Sequence, residues 1–137
     1  MQVREKGMPH FLIEYSRNLE EDVDMQALCE TVREAALATG VYPLGGTRVR
    51  THPCGHWSIA DGGRNHAFLH MMCRMGEGRS EETRKEAGEA VFAALEGFLK
   101  PVFEKRTFAL SFEICEIDER FSWKANNIHK ALASAAQ

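Results

Sequence analysis

The sequence predicts an α+β domain in which two β-α-β units form one four-stranded sheet with two helices on one face. Strand-like and helix-like segments follow each other in the order strand, helix, strand, and this order occurs twice with similar lengths and similar punctuation. The strands of a β-α-β unit lie parallel through a right-handed crossover, so both helices cover the same face. The opposite face stays open, and we expect oligomerisation to cover it.

The first unit begins with the aromatic and β-branched run HFLIEY at 10–15. Apolar residues then recur every three or four positions over 24–39, which predicts an amphipathic helix. Asp24 is its N-cap, and Gly40 lies just past its end. The alternation in TRVRTHP predicts a half-buried second strand at 47–53.

The second unit begins with the nearly continuous apolar run at 66–75, which predicts a strand. Ser80 follows as a helix N-cap, and acidic residues in the first turn favour the helix dipole. The helix is predicted to end near Phe98, since Pro101 follows closely. Alternating apolar residues in RTFALSFEICEI predict the last strand at 106–117.

The composition excludes several classes of protein. At 137 residues with 44% apolar positions, the chain fits a single domain. A formal net charge of −3 argues against a nucleic-acid partner. The chain has no apolar run of about 18 residues and no apolar signal-peptide core near its start, so we expect a cytoplasmic protein without a membrane span. The four cysteines form no CxxC pair and are expected to be reduced structural thiols.

The segment THPCGHW raises the question of a metal site. His52, Cys54 and His56 alternate as neighbours on one strand face do, but a proline and a glycine interrupt the strand and a fourth ligand is not evident. We therefore expect no metal. His10 and His70 either line a pocket or are structural strand residues.

Short motifs lie in order along nearly the whole chain from Met8 onward: MPHFLIEYS, ATGVYPLGGTRVR, IADG, FLHM, GEGRS, LSFEI and NNIH. Each motif alone is unspecific, but together they resemble the 5-carboxymethyl-2-hydroxymuconate isomerase family of the tautomerase superfamily. The resemblance implies a tautomerase-like fold, a homotrimer and a reaction that needs no cofactor. It also implies isomerisation of 5-carboxymethyl-2-hydroxymuconate to its 2-oxo-3-ene isomer. This reaction would belong to the degradation of homoprotocatechuate, the pathway that breaks down 4-hydroxyphenylacetate.

The resemblance also implies the site residues. Met8 would be removed, and Pro9 would act as general acid and base through its freed ring nitrogen. Arg48 in GGTR and Arg79 in GEGR would bind substrate carboxylates, since guanidinium groups match carboxylates bidentately. Arg50 is an alternative to Arg48, because it lies on the same strand face.

The GEGRS turn has two interpretations. Arg79 stands immediately before a predicted helix whose first N–H groups favour a nearby anion, so that the side chain and the helix terminus would act together. Alternatively, the segment is a simple glycine turn with a helix cap. The sequence leaves both open.

The implied chemistry requires a free Pro9 nitrogen. A free α-amino group titrates near 8 in model peptides, and burial beside cations lowers its pKa further. Seven residues precede Met8, and in a chain that keeps them this nitrogen is a tertiary amide without a basic lone pair. We therefore interpret 1–8 as an N-terminal extension and 9–137 as the domain. The extension comes from a misassigned upstream start codon or a cloning artefact, or it marks an inactive variant.

The expected substrate is a small dicarboxylate or tricarboxylate dienol acid. Two other functions fit the same residues. A broader keto-enol tautomerase of the phenylpyruvate type would use the same proline with fewer carboxylate contacts. A non-catalytic oligomeric binding protein would keep the fold while Pro9 stays blocked.

Overall fold

The computed structural model describes residues 8–135. The positions 1–7, which the sequence analysis assigned to the extension, and 136–137 lie outside the described residues. The helices and strands are β1 His10–Ser16, α1 Met25–Ala38, β2 Arg48–Cys54, β3 Ala67–Gly76, α2 Glu81–Lys105, β4 Phe108–Ile117 and α3 Ile128–Ala135, with short 3-10 turns at Arg17–Glu21 and Glu119–Phe121. Among the described helices, none is long and apolar enough to cross a membrane.

The sheet confirms the predicted duplication. Its strand order is β2-β1-β3-β4. β1 pairs in parallel with β2, and β3 pairs in parallel with β4, so each β-α-β unit forms its own parallel pair. β1 and β3 pair antiparallel at the centre of the sheet and join the two units.

The core lies between one face of the sheet and the helices α1 and α2, which also pack on each other. Along β1 the side chains alternate, so that Phe11, Ile13 and Tyr15 point into this core. The two helices complete it with apolar stripes at three- and four-residue spacing: Leu28, Val32, Ala36, Val91, Leu95 and Leu99.

Both predicted N-caps are confirmed. The carboxylate of Asp24 accepts a hydrogen bond from the Ala27 backbone N–H at 3.1 Å. Ser80 Oγ accepts one from the Thr83 backbone N–H, also at 3.1 Å. Gly40 follows α1 with a φ of +73°, a left-handed conformation that glycine adopts without a steric penalty.

The predicted end of α2 near Phe98 is wrong. The helix continues through Pro101 to Lys105. A proline inside a helix removes one backbone hydrogen bond, but Leu99 and Val102 beside it are buried in the core. This packing outweighs the local cost, because tertiary context overrides helix propensity.

The second face of the sheet is open, as predicted, but it carries polar and charged side chains. The strand register places His10 directly beside Arg48 on β2 and Arg74 on β3. Further along this face, His70 Nδ1 lies 2.6 Å from Ser111 Oγ. The open face is therefore not a continuous apolar surface, and apolar burial alone does not explain how it would be covered.

An ion cluster joins the first 3-10 turn to the end of α2. The guanidinium of Arg106 forms an ion pair with the Asp22 carboxylate at 3.0 Å, and the two side chains are only 6% and 5% exposed. Lys105 contacts the other carboxylate oxygen. The hydrogen bond from Lys105 and the charge of Arg106 lower the pKa of Asp22 against the opposing effect of burial.

Replacement of Asp22 by Asn should remove a pH-dependent part of the stability. The folded-state pKa lies below the unfolded value of about 3.9, so the carboxylate stabilises the fold above that pH. This contribution is lost as the pH falls through the folded-state pKa. In urea unfolding at pH 7, we expect Asp22→Asn to lower the free energy of unfolding by about 1 to 3 kcal/mol.

The difference between variant and wild type should shrink as the pH falls below about 4. Glu104→Gln, at an exposed position on α2, is the matched control and should follow the wild-type curve. A constant gap between Asp22→Asn and wild type from pH 7 to pH 3 would contradict the assignment.

Candidate active site

One edge of the sheet brings the predicted site residues together. Pro9 directly precedes β1, Arg48 begins the parallel strand β2, and Arg79 shortly follows the end of the antiparallel strand β3. Parallel strands begin at the same edge, and an antiparallel neighbour ends there. The topology therefore gathers all three residues at this edge.

Met8 and Pro9 are buried here. The Pro9 carbonyl oxygen accepts a hydrogen bond from the Arg48 backbone N–H at 3.2 Å, which extends the pairing of β1 with β2. A Cβ atom at Gly46 would lie only 3.2 Å from the Met8 Cα atom, so glycine lets the loop pack against the backbone of Met8. In this chain the Pro9 nitrogen belongs to an enclosed amide bond.

The Arg48 side chain reaches over the bond between Met8 and Pro9. Its Nη2 donates to the Met8 carbonyl oxygen at 3.3 Å and lies 2.9 Å from His10 Nε2. Its Nε is buried and has no hydrogen-bond partner within residues 8–135. Burial, and then the charge of Arg50, lower the pKa of Arg48, but a guanidinium stays charged in proteins. Arg48 is thus a cation whose Nε–H group is available to bind a ligand.

The loop before β2 fixes Arg79. Gly78 turns the chain with a φ of +109°, and Arg79 Nη2 then donates to the Val41 carbonyl oxygen at 2.6 Å. The same loop leads from Val41 to Arg48. It therefore sets the position of Arg79 relative to Arg48. The capping interpretation of GEGRS is confirmed by Ser80, while anion binding at this helix terminus stays a prediction.

Tyr42, which the sequence did not indicate as a site residue, is buried in the core close to Arg79. Its ring lies edge-to-face on Phe11 with centroids 5.4 Å apart, and its hydroxyl lies 3.8 Å from Cys73 Sγ. Burial raises the pKa of Tyr42 and raises that of Cys73 to about 12. The thiol therefore stays protonated at neutral pH and is a packing group rather than a nucleophile.

Asn126 closes the site from the C-terminal side. Its Nδ2 donates to the Gly45 carbonyl oxygen at 2.9 Å and lies 3.4 Å from Met8 Sδ. Its Oδ1 accepts a hydrogen bond from the Ile128 backbone N–H at 2.6 Å. A Cβ atom at Gly45 would clash with the ring of His129, so the C-terminal segment crosses this glycine closely. The motif NNIH was the only sequence signal for this contact.

The candidate metal ligands lie toward the other end of the sheet. His52 and Cys54 stand near the end of β2, and His56 follows that strand. Within residues 8–135, no three His, Cys, Asp or Glu side chains are grouped so that they could hold a metal ion.

Comparisons with known proteins agree on one family. The family model described as 5-carboxymethyl-2-hydroxymuconate isomerase matches residues 9–132. The 5-carboxymethyl-2-hydroxymuconate Delta-isomerase of Escherichia coli is 41% identical over 122 residues, which cover 89% of this chain and 97% of that protein.

Two crystal structures are similar to the whole fold. A 5-carboxymethyl-2-hydroxymuconate delta-isomerase has a TM-score of 0.88 at 36% identity, covering 93% of this chain and 94% of the other. A 5-carboxymethyl-2-hydroxymuconate isomerase from Deinococcus radiodurans R1 has the same TM-score and identity, covering 96% and 98%. These similarities confirm the predicted tautomerase-like fold. The chain belongs to the 5-carboxymethyl-2-hydroxymuconate isomerase family.

Proposed function

We propose that the chain converts 5-carboxymethyl-2-hydroxymuconate to its 2-oxo-3-ene isomer, with Pro9 as the proton carrier and Arg48 and Arg79 as carboxylate-binding residues. Family membership supports the isomerase activity and the substrate. The observation that carries the residue assignment is the enclosure of the bond between Met8 and Pro9 beneath the Arg48 guanidinium.

Removal of 1–8 would turn the space that Met8 fills into a space for substrate. Met8 is enclosed by Gly46, by the amide of Asn126 and by the Arg48 guanidinium. Without Met8, the Nη2 group of Arg48 loses an acceptor, and the buried Nε also has none within residues 8–135. A carboxylate can accept from both groups. The freed Pro9 nitrogen would lie beside that carboxylate as a secondary amine.

In the proposed reaction, the Pro9 nitrogen both accepts and returns the proton. Pro9 takes the proton of the 2-hydroxyl group, the electrons shift along the diene, and Pro9 returns a proton to C5. The enol becomes a 2-oxo group, and the two double bonds at C2 and C4 become one at C3. The arginines hold the carboxylates and stabilise the negative charge that develops on the 2-oxygen. Only a proton is moved, so the reaction needs no cofactor.

A homotrimer is part of the proposal. The segment after β4 exposes Phe121 and Trp123, which are 69% and 86% accessible. A groove of about 740 Å³ between α2 and β4 has an apolar floor of Phe92, Phe112 and Ile114. Exposed apolar surfaces of this kind are typical of interfaces between chains. They support assembly, and the resemblance to trimeric tautomerases sets the expected number at three.

Sedimentation equilibrium at micromolar concentration should give the mass of three chains. Trp123→Ser should shift the distribution toward smaller species, because Trp123 is the more exposed of the two aromatic side chains in the segment after β4. A wild-type chain that stays a monomer or a dimer would contradict the trimer.

A chain that begins at Pro9 should isomerise the dienol acid, whereas the chain that begins at Met1 should not. Only the nitrogen changes between the two, from a basic secondary amine to an amide without a basic lone pair. General acid-base catalysis typically supplies about 10²- to 10⁴-fold, so the difference should be clear in an assay of dienol absorbance.

The kcat/KM of the active form should fall at low pH, with an apparent pKa below the value of about 8 for an ordinary α-amino group. Intact-mass measurement confirms which terminus each preparation has, and circular dichroism should show that both are folded. Equal activity of the two forms would show that Pro9 is not the base.

Replacement of Arg79 by Ala should lower kcat/KM by about ten- to a hundredfold, because one charge-assisted carboxylate contact is lost. Arg79→Lys keeps the charge without the bidentate fork and should lie between Arg79→Ala and wild type. Arg64→Ala, in the exposed loop between β2 and β3 at the opposite end of the sheet, is the control. Unchanged kinetics for Arg79→Ala would remove Arg79 from the site.

A further inference from the structure

His10 lies between two arginine side chains on the open face of the sheet. Its Nε2 is 2.9 Å from Arg48 Nη2, and its Nδ1 is 3.2 Å from Arg50 Nη1. A guanidinium group donates hydrogen bonds and accepts none. Both ring nitrogens of His10 therefore face donors.

A neutral imidazole can satisfy only one of these two arginines. It has one nitrogen with a lone pair and one N–H group. The shorter contact places the lone pair on Nε2, where it accepts from Arg48, and so the proton on Nδ1. The Nδ1–H of His10 and Nη1 of Arg50 are then two donors 3.2 Å apart. A protonated ring would add a third positive charge and a second donor conflict.

The surrounding charges also lack an anion. After the larger effect of burial, the charges of Arg48 and Arg50 on β2, Arg74 on β3 and Lys124 near the C-terminal end lower the pKa of His10. Lys124 has a carboxylate partner. Within residues 8–135, the three arginines are not ion-paired with any carboxylate. An anion is therefore the group that this part of the face lacks.

We infer that Arg50 and the Nδ1–H of His10 form a second carboxylate subsite beside Arg48. A carboxylate oxygen between the two donors accepts from both and offsets the repulsion among the neighbouring cations. The inference rests on the proposed function and extends it to specificity. The subsite binds a carboxylate that polycarboxylate dienols carry and that the enol of phenylpyruvate lacks. Arg48 and Arg50 then have complementary roles rather than alternative ones.

His10 also positions Arg48. By accepting at Nε2, the ring holds the Nη2 group that faces the bond between Met8 and Pro9. The strand register that sets His10 opposite Arg48 makes this contact a fixed part of the sheet. One neutral side chain thereby links the first carboxylate site to the second.

Kinetics with two substrates test the subsite on the catalytically active form of the chain. For 5-carboxymethyl-2-hydroxymuconate, Arg50→Ala should lower kcat/KM by about ten- to a hundredfold, mainly through KM. For the enol of phenylpyruvate, the loss should stay below about threefold, since no second carboxylate is present. Arg64→Ala should leave kcat/KM unchanged for both substrates.

Two substitutions of His10 separate binding from packing. His10→Gln keeps a donor and an acceptor and should retain most of the preference for the polycarboxylate. His10→Phe keeps a ring of similar size without either group and should lose the preference as Arg50→Ala does. Equal losses on both substrates for Arg50→Ala, or a His10→Phe variant that keeps the preference, would overturn the inference while the proposed function stands.

A binding measurement keeps the two proposals distinguishable. If no form of the chain turns over either substrate, the proposed function fails, and calorimetric binding of tricarballylate to the full chain then decides the subsite alone. Binding that Arg50→Ala weakens at least about tenfold, and that Arg64→Ala leaves unchanged, supports it. No measurable binding to wild type, or equal binding to wild type and Arg50→Ala, overturns it.

Discussion

The register of β1 is the constraint on which both the core and the candidate site depend. β1 is hydrogen-bonded to β2 on one side and to β3 on the other. A shift by one residue would turn Phe11 and Ile13 out of the core and toward solvent. The same alternation turns His10 to the open face, directly opposite Arg48 and Arg74. Burial of the apolar side chains thus fixes where the cations stand.

These cations are held close together against their mutual repulsion. The lowered pKa of Arg48, caused by burial and then by the charge of Arg50, reflects that cost. At the other end of the sheet the fold pairs a buried charge directly, as Arg106 does with Asp22. Arg48, Arg50 and Arg74 have no such carboxylate partner within residues 8–135. A preorganised set of cations without a carboxylate from the protein is typical of a site that an anionic ligand completes.

Most of the fold was predictable because helix caps and strand alternation depend on neighbours a few residues away. The passage of α2 through Pro101 depends on the burial of Leu99 in a core that other elements build, and a single segment does not contain that information. The site shows the same limit. Motifs indicated the arginines, but the pairing of β1 with β2 places His10 between two guanidiniums. The hydrogen bond from Asn126 to Gly45 joins residues 81 positions apart.

The arginines also bear on the proton chemistry proposed for Pro9. The Arg48 guanidinium contacts the carbonyl oxygen of the bond that joins Met8 to Pro9, so a freed Pro9 nitrogen would lie near its charge. In the proposed mechanism that charge would lower the pKa of the amine in the unliganded enzyme and favour its basic form. A bound polycarboxylate would neutralise the cations and raise the pKa of the same nitrogen, so that substrate binding itself would favour transfer of the enol proton to Pro9. Departure of the product would leave the cations without an anion and favour the deprotonated amine again. The charges proposed to select the substrate would then also set the direction of the first proton transfer.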